Sequence, residues 1–212
     1  MQNKQHLGFW ILAAGLAFFA GPLLRTGDAM LDFVESEVRQ TQMAMGATLG
    51  GAVVKLADGI FEQTPVSAGA RVLRQAKHTK AETELSAAVA GPLGQISSKD
   101  YNSYLQGLIL QAYVFTIRLA ILLFWGLFLL PMLTATVFDG IMQRSIKRAE
   151  FGSLRPATFT LAGVVVIPLL ALPFLYLTMP FPLSPLLAPM WAAVVALPLS
   201  ILISNSQPLF GR

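Results

Sequence analysis

Few residues of this sequence are of the types that perform chemistry, and they do not converge. The two histidines are His6, at the edge of an apolar segment, and His78, within a basic stretch, and the chain has no cysteine. Metal binding and general acid–base catalysis need histidines and carboxylates brought together. Phosphate-binding glycine loops are also missing. We therefore expect no catalytic residue, no metal ligand and no cofactor, and a protein that is not an enzyme.

Arg118 is the one ionisable residue inside an otherwise apolar run. A charge deep in hydrocarbon is costly enough that it marks either a pathway or a buried polar partner. Arg118 falls near the outer end of its segment, where a long side chain can snorkel to lipid headgroups beside Tyr113. We expect snorkelling, and Arg118 is at the same time a candidate intramembrane polar contact.

A second group of charges begins at Asp139, after twenty uncharged residues that follow Arg118. Arg144, Lys147 and Arg148 have i, i+3, i+4 spacing and share one helical face. Such a face can touch anionic lipid at about 1 kcal/mol per charge, or dock a cytoplasmic ATPase or another membrane subunit. Direct nucleic-acid binding is not expected, because so few charges make a poor electrostatic footprint. These four residues are the candidate docking or lipid-contact residues.

The composition is that of a membrane protein. Of 212 residues, 55% are hydrophobic and 12% are charged, whereas soluble domains carry about 25% charge. The formal net charge is +4. The predicted fold class is all-α: a polytopic helical membrane protein with four transmembrane helices and a helical extracytoplasmic region between the first and the second.

Uncharged segments set the predicted boundaries. Eighteen uncharged residues run from Leu7 to Leu24, and Phe18 stands where a cleavable signal peptide would need a small residue, which favours an uncleaved anchor. The 56 residues after Arg155 and before Arg212 contain no charge and nine of the thirteen prolines, so we expect kinks whose freed carbonyls are satisfied by neighbouring helices. The predicted domains are an N-terminal transmembrane helix (1–25), a helical periplasmic region (26–106), a second transmembrane helix (107–137), a basic cytoplasmic loop (138–156) and a proline-rich transmembrane hairpin (157–212).

The polar region after the first span is predicted to be helical and amphipathic. One long or broken helix is expected from about Asp28 to Gln63, with Leu31, Val34 and Val38 on its apolar face. Thr64-Pro65 should end this helix. The sequence Gly-Pro-Leu-Gly at 91–94 predicts a break before the second span.

The distribution of basic residues predicts the orientation. The short loop after the second span carries four basic residues, the N-terminus carries Lys4, and the turn at 180–185 carries none. By the positive-inside rule both termini and the basic loop lie in the cytoplasm of a bacterial inner membrane. The long polar region then lies outside.

Short motifs resemble a known family. The segment from Phe138 to Arg144 followed by Lys147-Arg148, the later run at 172–180, and the closing Ile203-Ser204-Asn205 are similar to a family of membrane proteins encoded by integrating conjugative elements and conjugative plasmids. That family is defined by a domain of unknown function. The resemblance implies an accessory role in conjugative DNA transfer, close to the coupling ATPase or the type IV secretion channel.

Three functions stay open from the sequence. The first is a non-enzymatic inner-membrane accessory subunit of conjugative DNA transfer that acts by protein–protein docking. The second is a small transporter or channel subunit, since proline-broken helices can line substrate sites. The third is a transfer-exclusion or immunity membrane protein. Expected partners are membrane lipids and other membrane subunits, including a coupling ATPase or secretion channel, and a homo-oligomer is also consistent with the sequence.

Overall fold

The protein is built from α-helices. The computed structural model describes residues 2–25, 27–75, 80–149 and 156–206, and every regular element in these ranges is helical. The helices are α1 (Gln2–Leu24), α2 (Gly27–Met45), α3 (Ala47–Glu62), α4 (Pro65–Gln75), α5 (Lys80–Ala149), α6 (Pro156–Thr178) and α7 (Leu187–Ser204). The predicted all-α class is confirmed for the described residues.

Within the ranges that the structure describes, three helices contain segments that are long and apolar enough to cross a membrane. These segments are Ser103–Ala149 of α5, Ala157–Thr178 of α6 and Leu187–Ser204 of α7. The described apolar part of α1, Gly8–Leu24, is shorter. The structure thus indicates a helical membrane protein with three candidate spans, and a fourth span with a region outside the cytoplasm stays a prediction.

Helix boundaries in the polar region agree with the sequence at one position and disagree at another. α3 ends at Glu62 and α4 begins at Pro65, as the Thr64-Pro65 pair predicts. α5 has 70 residues and continues through 91–94, where the sequence predicts a break. That prediction is wrong, since a proline removes one helical hydrogen bond and kinks a helix without having to end it.

Contacts divide the chain into two compact units, the first of which comprises Met1–Ala13, Ile121–Tyr176 and Leu186–Arg212. In this unit small apolar residues are buried along α6 and α7, and small residues let helix backbones approach closely. These buried residues are Ala162, Val166, Ala171, Ala188, Ala192 and Val195.

A proline-freed carbonyl joins α6 to α7. Pro173 has no N–H to donate to the carbonyl of Leu169, four residues earlier in α6. The indole Nε1 of Trp191 in α7 donates to that carbonyl at 2.5 Å. The expectation that neighbouring helices satisfy freed carbonyls is confirmed at this position.

The second unit comprises Ala14–Ala120 and Leu177–Pro185. Within it the predicted long helix is broken at Gly46, whose φ of 82° lies in the left-handed region that favours glycine. α3 bends back there, so closely that a Cβ on Gly50 would lie 2.7 Å from Cα of Gln42. Of the two forms that the sequence leaves open, one long helix or a broken one, the structure has the broken helix.

The core of the second unit lies where α2 packs on α5. Met30 and Phe33 of α2 form a buried cluster with Val114 of α5, and Val34 and Leu110 pack against it. This contact places the following turn of α2 beside the following turn of α5, because residues four apart share a helical face.

Candidate functional site

The buried face of α2 includes a carboxylate. Met30, Phe33, Glu37 and Thr41 are all buried, with the three-and-four spacing of one helical stripe. Of the residues that the sequence places on one apolar face, Val34 packs against the core and Leu31 is 50% exposed. Glu37 is buried instead because it has a buried ionic partner, which turns a polar position inward.

That partner is Arg118. Both side chains are fully buried, and Arg118 Nη2 forms an ion pair with Glu37 Oε1. The expected snorkelling of Arg118 is wrong, since an arginine with a buried carboxylate partner has no need to reach the headgroups. A buried pair of this kind stabilises only while both partners are present, because removal of one leaves a charge uncompensated.

The pair also holds the segment between α6 and α7, residues 179–186. Arg118 donates hydrogen bonds to the carbonyls of Met179, at 2.6 Å, and Phe181. The backbone N–H of Leu183 donates to Glu37 Oε1 at 3.1 Å. One ion pair therefore satisfies backbone groups of a non-helical segment and fixes it to both α2 and α5.

A second guanidinium lies beside this pair. Arg25 Cζ lies 4.2 Å from the centroid of the Phe33 ring, and Arg118 Cζ lies 5.7 Å from the same centroid. Burial and then the positive charge of Arg118 lower the pKa of Arg25, and Glu37 opposes that shift. Phe33 thus serves as a cation–π partner for both arginines.

The end of α1 is fixed to α5 by close backbone approach. Gln111 is fully buried, and its Nε2 donates to the carbonyl of Thr178 at 3.1 Å. A Cβ on Gly21 would lie 2.8 Å from Gln111 Oε1, and a Cβ on Gly107 would lie 2.8 Å from Cβ of Pro22. A side chain at Gly107 would meet the ring and backbone of Pro22, and a side chain at Gly21 would displace the buried Gln111 side chain.

Tyr113 of α5 contacts α3. The hydroxyl of Tyr113 donates to Asp58 Oδ1 at 2.6 Å. The ring of Phe61 packs edge-on against Tyr113, with centroids 5.3 Å apart. Since Glu37 fixes α2 and Tyr113 fixes α3, both amphipathic helices are held on α5.

A second polar network lies in the first unit, between the end of α5 and the end of α7. Asp139 accepts a hydrogen bond from the hydroxyl of Ser200 at 2.6 Å. Lys147 Nζ donates to Ser204 Oγ and to Asn205 Oδ1, each at 3.2 Å. A lysine at a helix C-terminus also interacts favourably with the helix dipole.

The predicted basic face is divided by this packing. A Cβ on Gly140 would lie 2.8 Å from Cβ of Ile203, so the side of α5 that bears Gly140 and Lys147 lies against α7. Arg148 is exposed, and Arg144 is partly buried. Of the predicted docking residues, Asp139 and Lys147 are bound within the chain, while Arg148 faces outward.

Sequence reasoning missed several polar residues of the two networks. Glu37 could have been found from its spacing, because it falls on the same helical stripe as Met30 and Phe33. A carboxylate in an apolar stripe is a candidate partner for an arginine in an apolar segment, here Arg118. Ser200 and Ser204 carry no signal of their own, because serine in a membrane helix also bonds to its own backbone. The residues missed altogether are Glu37, Gln111 and Ser200, while Ser204 and Asn205 were named only within the motif that resembles the family, without a role in packing.

Among the described residues, no group of three or more His, Cys, Asp or Glu side chains is placed to hold a metal ion. The described polar groups of the two networks join helices to one another and to the segment 179–186.

Residues 27–210 match the protein-family model described as IncC plasmid conjugative DNA transfer protein DtrJ-like. Comparison with curated proteins and comparison with solved structures each found no match.

Proposed function

The chain belongs to the DtrJ-like family of conjugative DNA transfer proteins, and so has a role in conjugative DNA transfer; from that premise we propose that it is a non-enzymatic accessory subunit of the bacterial inner membrane. It acts by protein–protein docking on the coupling ATPase or the type IV secretion channel. Its residues contribute contacts, not chemistry.

In this proposal α1, α5, α6 and α7 all cross the membrane, with both termini in the cytoplasm. Twenty uncharged residues separate Arg118 from Asp139, which is about 30 Å of helix and matches a hydrocarbon core. The segment 179–186 bonds to Arg118, so it lies beside the residue that immediately precedes the uncharged run 119–138 of α5. The turn at 180–185 contains no basic residue, whereas the segment 138–156 contains four. The positive-inside rule therefore assigns the turn to the outside of the membrane.

The observation that carries the proposal is the buried Glu37–Arg118 ion pair. It fixes α2, a helix with charged residues on its other face, against an apolar helix that is long enough to span the membrane. A surface helix held by a buried ion pair has a defined orientation, since the pair is satisfied in one register only. Defined presentation of a surface is what a docking subunit requires.

The surface presented in this way is apolar in part. Four large apolar side chains of α2 and α3 are exposed although they lie outside the candidate spans. Exposed apolar residues in helices outside a membrane are typical of protein-contact surfaces. We call these residues the α2–α3 surface: Leu31, Met43, Leu49 and Leu56.

A mating experiment that separates donor from recipient tests the proposal. The gene is deleted from the conjugative element and restored, as a tagged copy, either in donors only or in recipients only. We expect transfer to fall on deletion and to recover with expression in donors. Pull-down of the tagged copy in mild detergent from the same donors should retain the coupling ATPase or a secretion-channel subunit.

A charge placed on the α2–α3 surface tests docking. Leu49→Glu should lower transfer at least tenfold and weaken the pull-down, with unchanged amounts of the chain in the membrane. Thr48→Glu is the matched control, because Thr48 is the adjacent exposed residue of the same helix. Equal transfer by both variants would remove α3 from the docking surface.

Two alternatives give other results. A transfer-exclusion protein would lower transfer when expressed in recipients, and its deletion from donors would leave transfer unchanged. A small transporter or channel subunit is favoured by the carboxylate of Glu37 beside the non-helical segment 179–186. Unchanged transfer together with no co-purified partner would favour the transporter or channel subunit.

A further inference from the structure

One face of α5 remains apolar and exposed along the candidate span in the first unit. Leu123, Leu127, Leu130 and Phe138 are each more than half exposed. At 3.6 residues per turn these four positions fall within roughly a quarter of the helix circumference. An exposed apolar stripe on a membrane-spanning segment is in contact with lipid acyl chains.

The stripe continues beyond the last apolar turn and ends in arginine. Ile141 and Met142 are exposed, at 46% and 57%; Ile141 lies in line with Leu123, and Met142 lies one turn after Phe138 at the edge of the stripe. Arg148, two turns after Ile141, is exposed on the same side. The opposite side of this part of α5 is occupied by α7, through the contacts of Gly140 already described.

Arg144 adds a second guanidinium at the edge of the stripe. Its Nε atom is buried and has no hydrogen-bond partner among the described residues. Lys147, the third cation of this segment, is bound to Ser204 and Asn205. The segment 138–156 has four basic and two acidic residues, so its charge attracts anions.

We propose that Arg144 and Arg148 bind the phosphate of an anionic phospholipid whose acyl chains lie along Ile141 and Met142. Guanidinium groups bind phosphate oxygens through two parallel hydrogen bonds, which an ammonium group cannot do. Lipid is the occupant because the site is continuous with a face that acyl chains already cover. This proposal requires only that α5 crosses a membrane and is independent of the docking role.

Lipid binding is measured on the full chain in mild detergent, by native mass spectrometry with added dioleoylphosphatidylglycerol. Dioleoylphosphatidylcholine serves as the uncharged lipid, and inorganic phosphate as the competitor. We expect preferential retention of phosphatidylglycerol, and a loss of about fivefold in affinity for each arginine replaced in Arg144→Gln and Arg148→Gln. Inorganic phosphate should not compete.

Matched variants separate this site from general attraction. Arg39→Gln removes one charge from an exposed position on α2 and should leave lipid binding unchanged. Because Arg148 is exposed, its single variant should fold even if the double variant does not, which a monodisperse gel-filtration peak verifies. Equal lipid binding by Arg148→Gln and the unaltered chain would overturn the proposal.

Two further outcomes would also overturn it. Effective competition by inorganic phosphate would show a site for free anions. Lower transfer in cells with unchanged lipid retention would assign this surface to an acidic protein partner. Lipid retention is read from the purified chain and transfer from mating cells, so failure of the lipid site and failure of the docking role are distinguishable.

Discussion

Glu37 and Arg118 are separated by 81 residues in the chain and form an ion pair from which solvent is fully excluded. The pair joins an amphipathic helix, the longest helix and the segment between α6 and α7. It thus combines in one place three parts of the second unit that the sequence leaves independent.

Breaking this pair should destabilise the protein. Glu37→Gln removes the negative charge from a fully buried ion pair, for which we expect a loss of about 3–5 kcal/mol in the free energy of unfolding. Glu35→Gln makes the same chemical change two residues earlier at an exposed position, where the effect should be below about 1 kcal/mol. Thermal unfolding of the detergent-solubilised chain compares them, and similar melting temperatures for the two variants would contradict the buried-pair assignment.

A methyl group at Gly21 should separate α1 from α5. Its Cβ would lie 2.8 Å from Gln111 Oε1, and overpacking of this kind costs about 1–3 kcal/mol. Gly15→Ala, in the same helix with nothing within 4 Å of its Cβ, is the control. The melting temperature of the detergent-solubilised chain is measured for both. Replacing Gln111 with alanine in the Gly21→Ala background should recover part of the loss, and no recovery would mean that the clash lies elsewhere.

The Trp191 hydrogen bond should matter only while Pro173 is present. Trp191→Phe leaves the carbonyl of Leu169 without a donor, and an unsatisfied buried group costs about 1–3 kcal/mol. Pro173→Ala supplies a helical N–H to the same carbonyl, so the cost of Trp191→Phe should shrink in that background. A double-mutant cycle on unfolding free energies measures the difference. Simple additivity of the two changes would disprove the coupling.

Neighbouring cations of α5 should behave differently when neutralised. Lys147→Gln removes the bonds to Ser204 and Asn205 and should lower the free energy of unfolding by about 1 kcal/mol. Arg148→Gln, at an exposed position, should leave it within about 0.5 kcal/mol. The melting temperatures of the two variants are compared in detergent without added lipid. A larger effect at Arg148 than at Lys147 would reverse the assignment of inward and outward cations.

Replacing Gly46, whose backbone is in the left-handed region, should destabilise the protein. Gly46→Ala places a Cβ at a φ of 82°, which costs about 1–2 kcal/mol. Gly51→Ala, within α3 with nothing near its Cβ, should be neutral or slightly stabilising. Limited proteolysis reports on the connection between α2 and α3, and faster cleavage is expected for the Gly46 variant alone.

Local sequence patterns predicted where the helices lie more accurately than they predicted which side of each helix is buried. Uncharged runs long enough to span a membrane identified α5, α6 and α7, because hydrocarbon admits few other structures. Pro65 marked the start of α4 because it disfavours helix in the residue before it. Hydrophobicity alone did not identify the inward face of α2, because that face includes the charged Glu37, and the spacing of Glu37 from Met30 and Phe33 does not say which residue it pairs with.

In the basic segment, too, the sequence predicted the helix but not which side of it faces outward. Spacing alone placed Arg144, Lys147 and Arg148 on one helical face, and it also predicted the helix that bears them. Which of the three faces outward depends on α7, which approaches at Gly140 and binds Lys147. Lys147, which the sequence predicts to lie on a docking face, therefore binds within the chain instead.

By itself the sequence determined that the chain is helical and apolar enough for a membrane, and where its charges lie along the chain. Short-range periodicity and segment length decide these properties, which depend on neighbours within a few turns. Only the tertiary structure decided that Arg118 meets Glu37, that Trp191 satisfies the carbonyl freed by Pro173, and that Lys147 binds the end of α7. These contacts join distant parts of the chain, and each satisfies a polar group that would cost free energy if it were buried without a hydrogen bond.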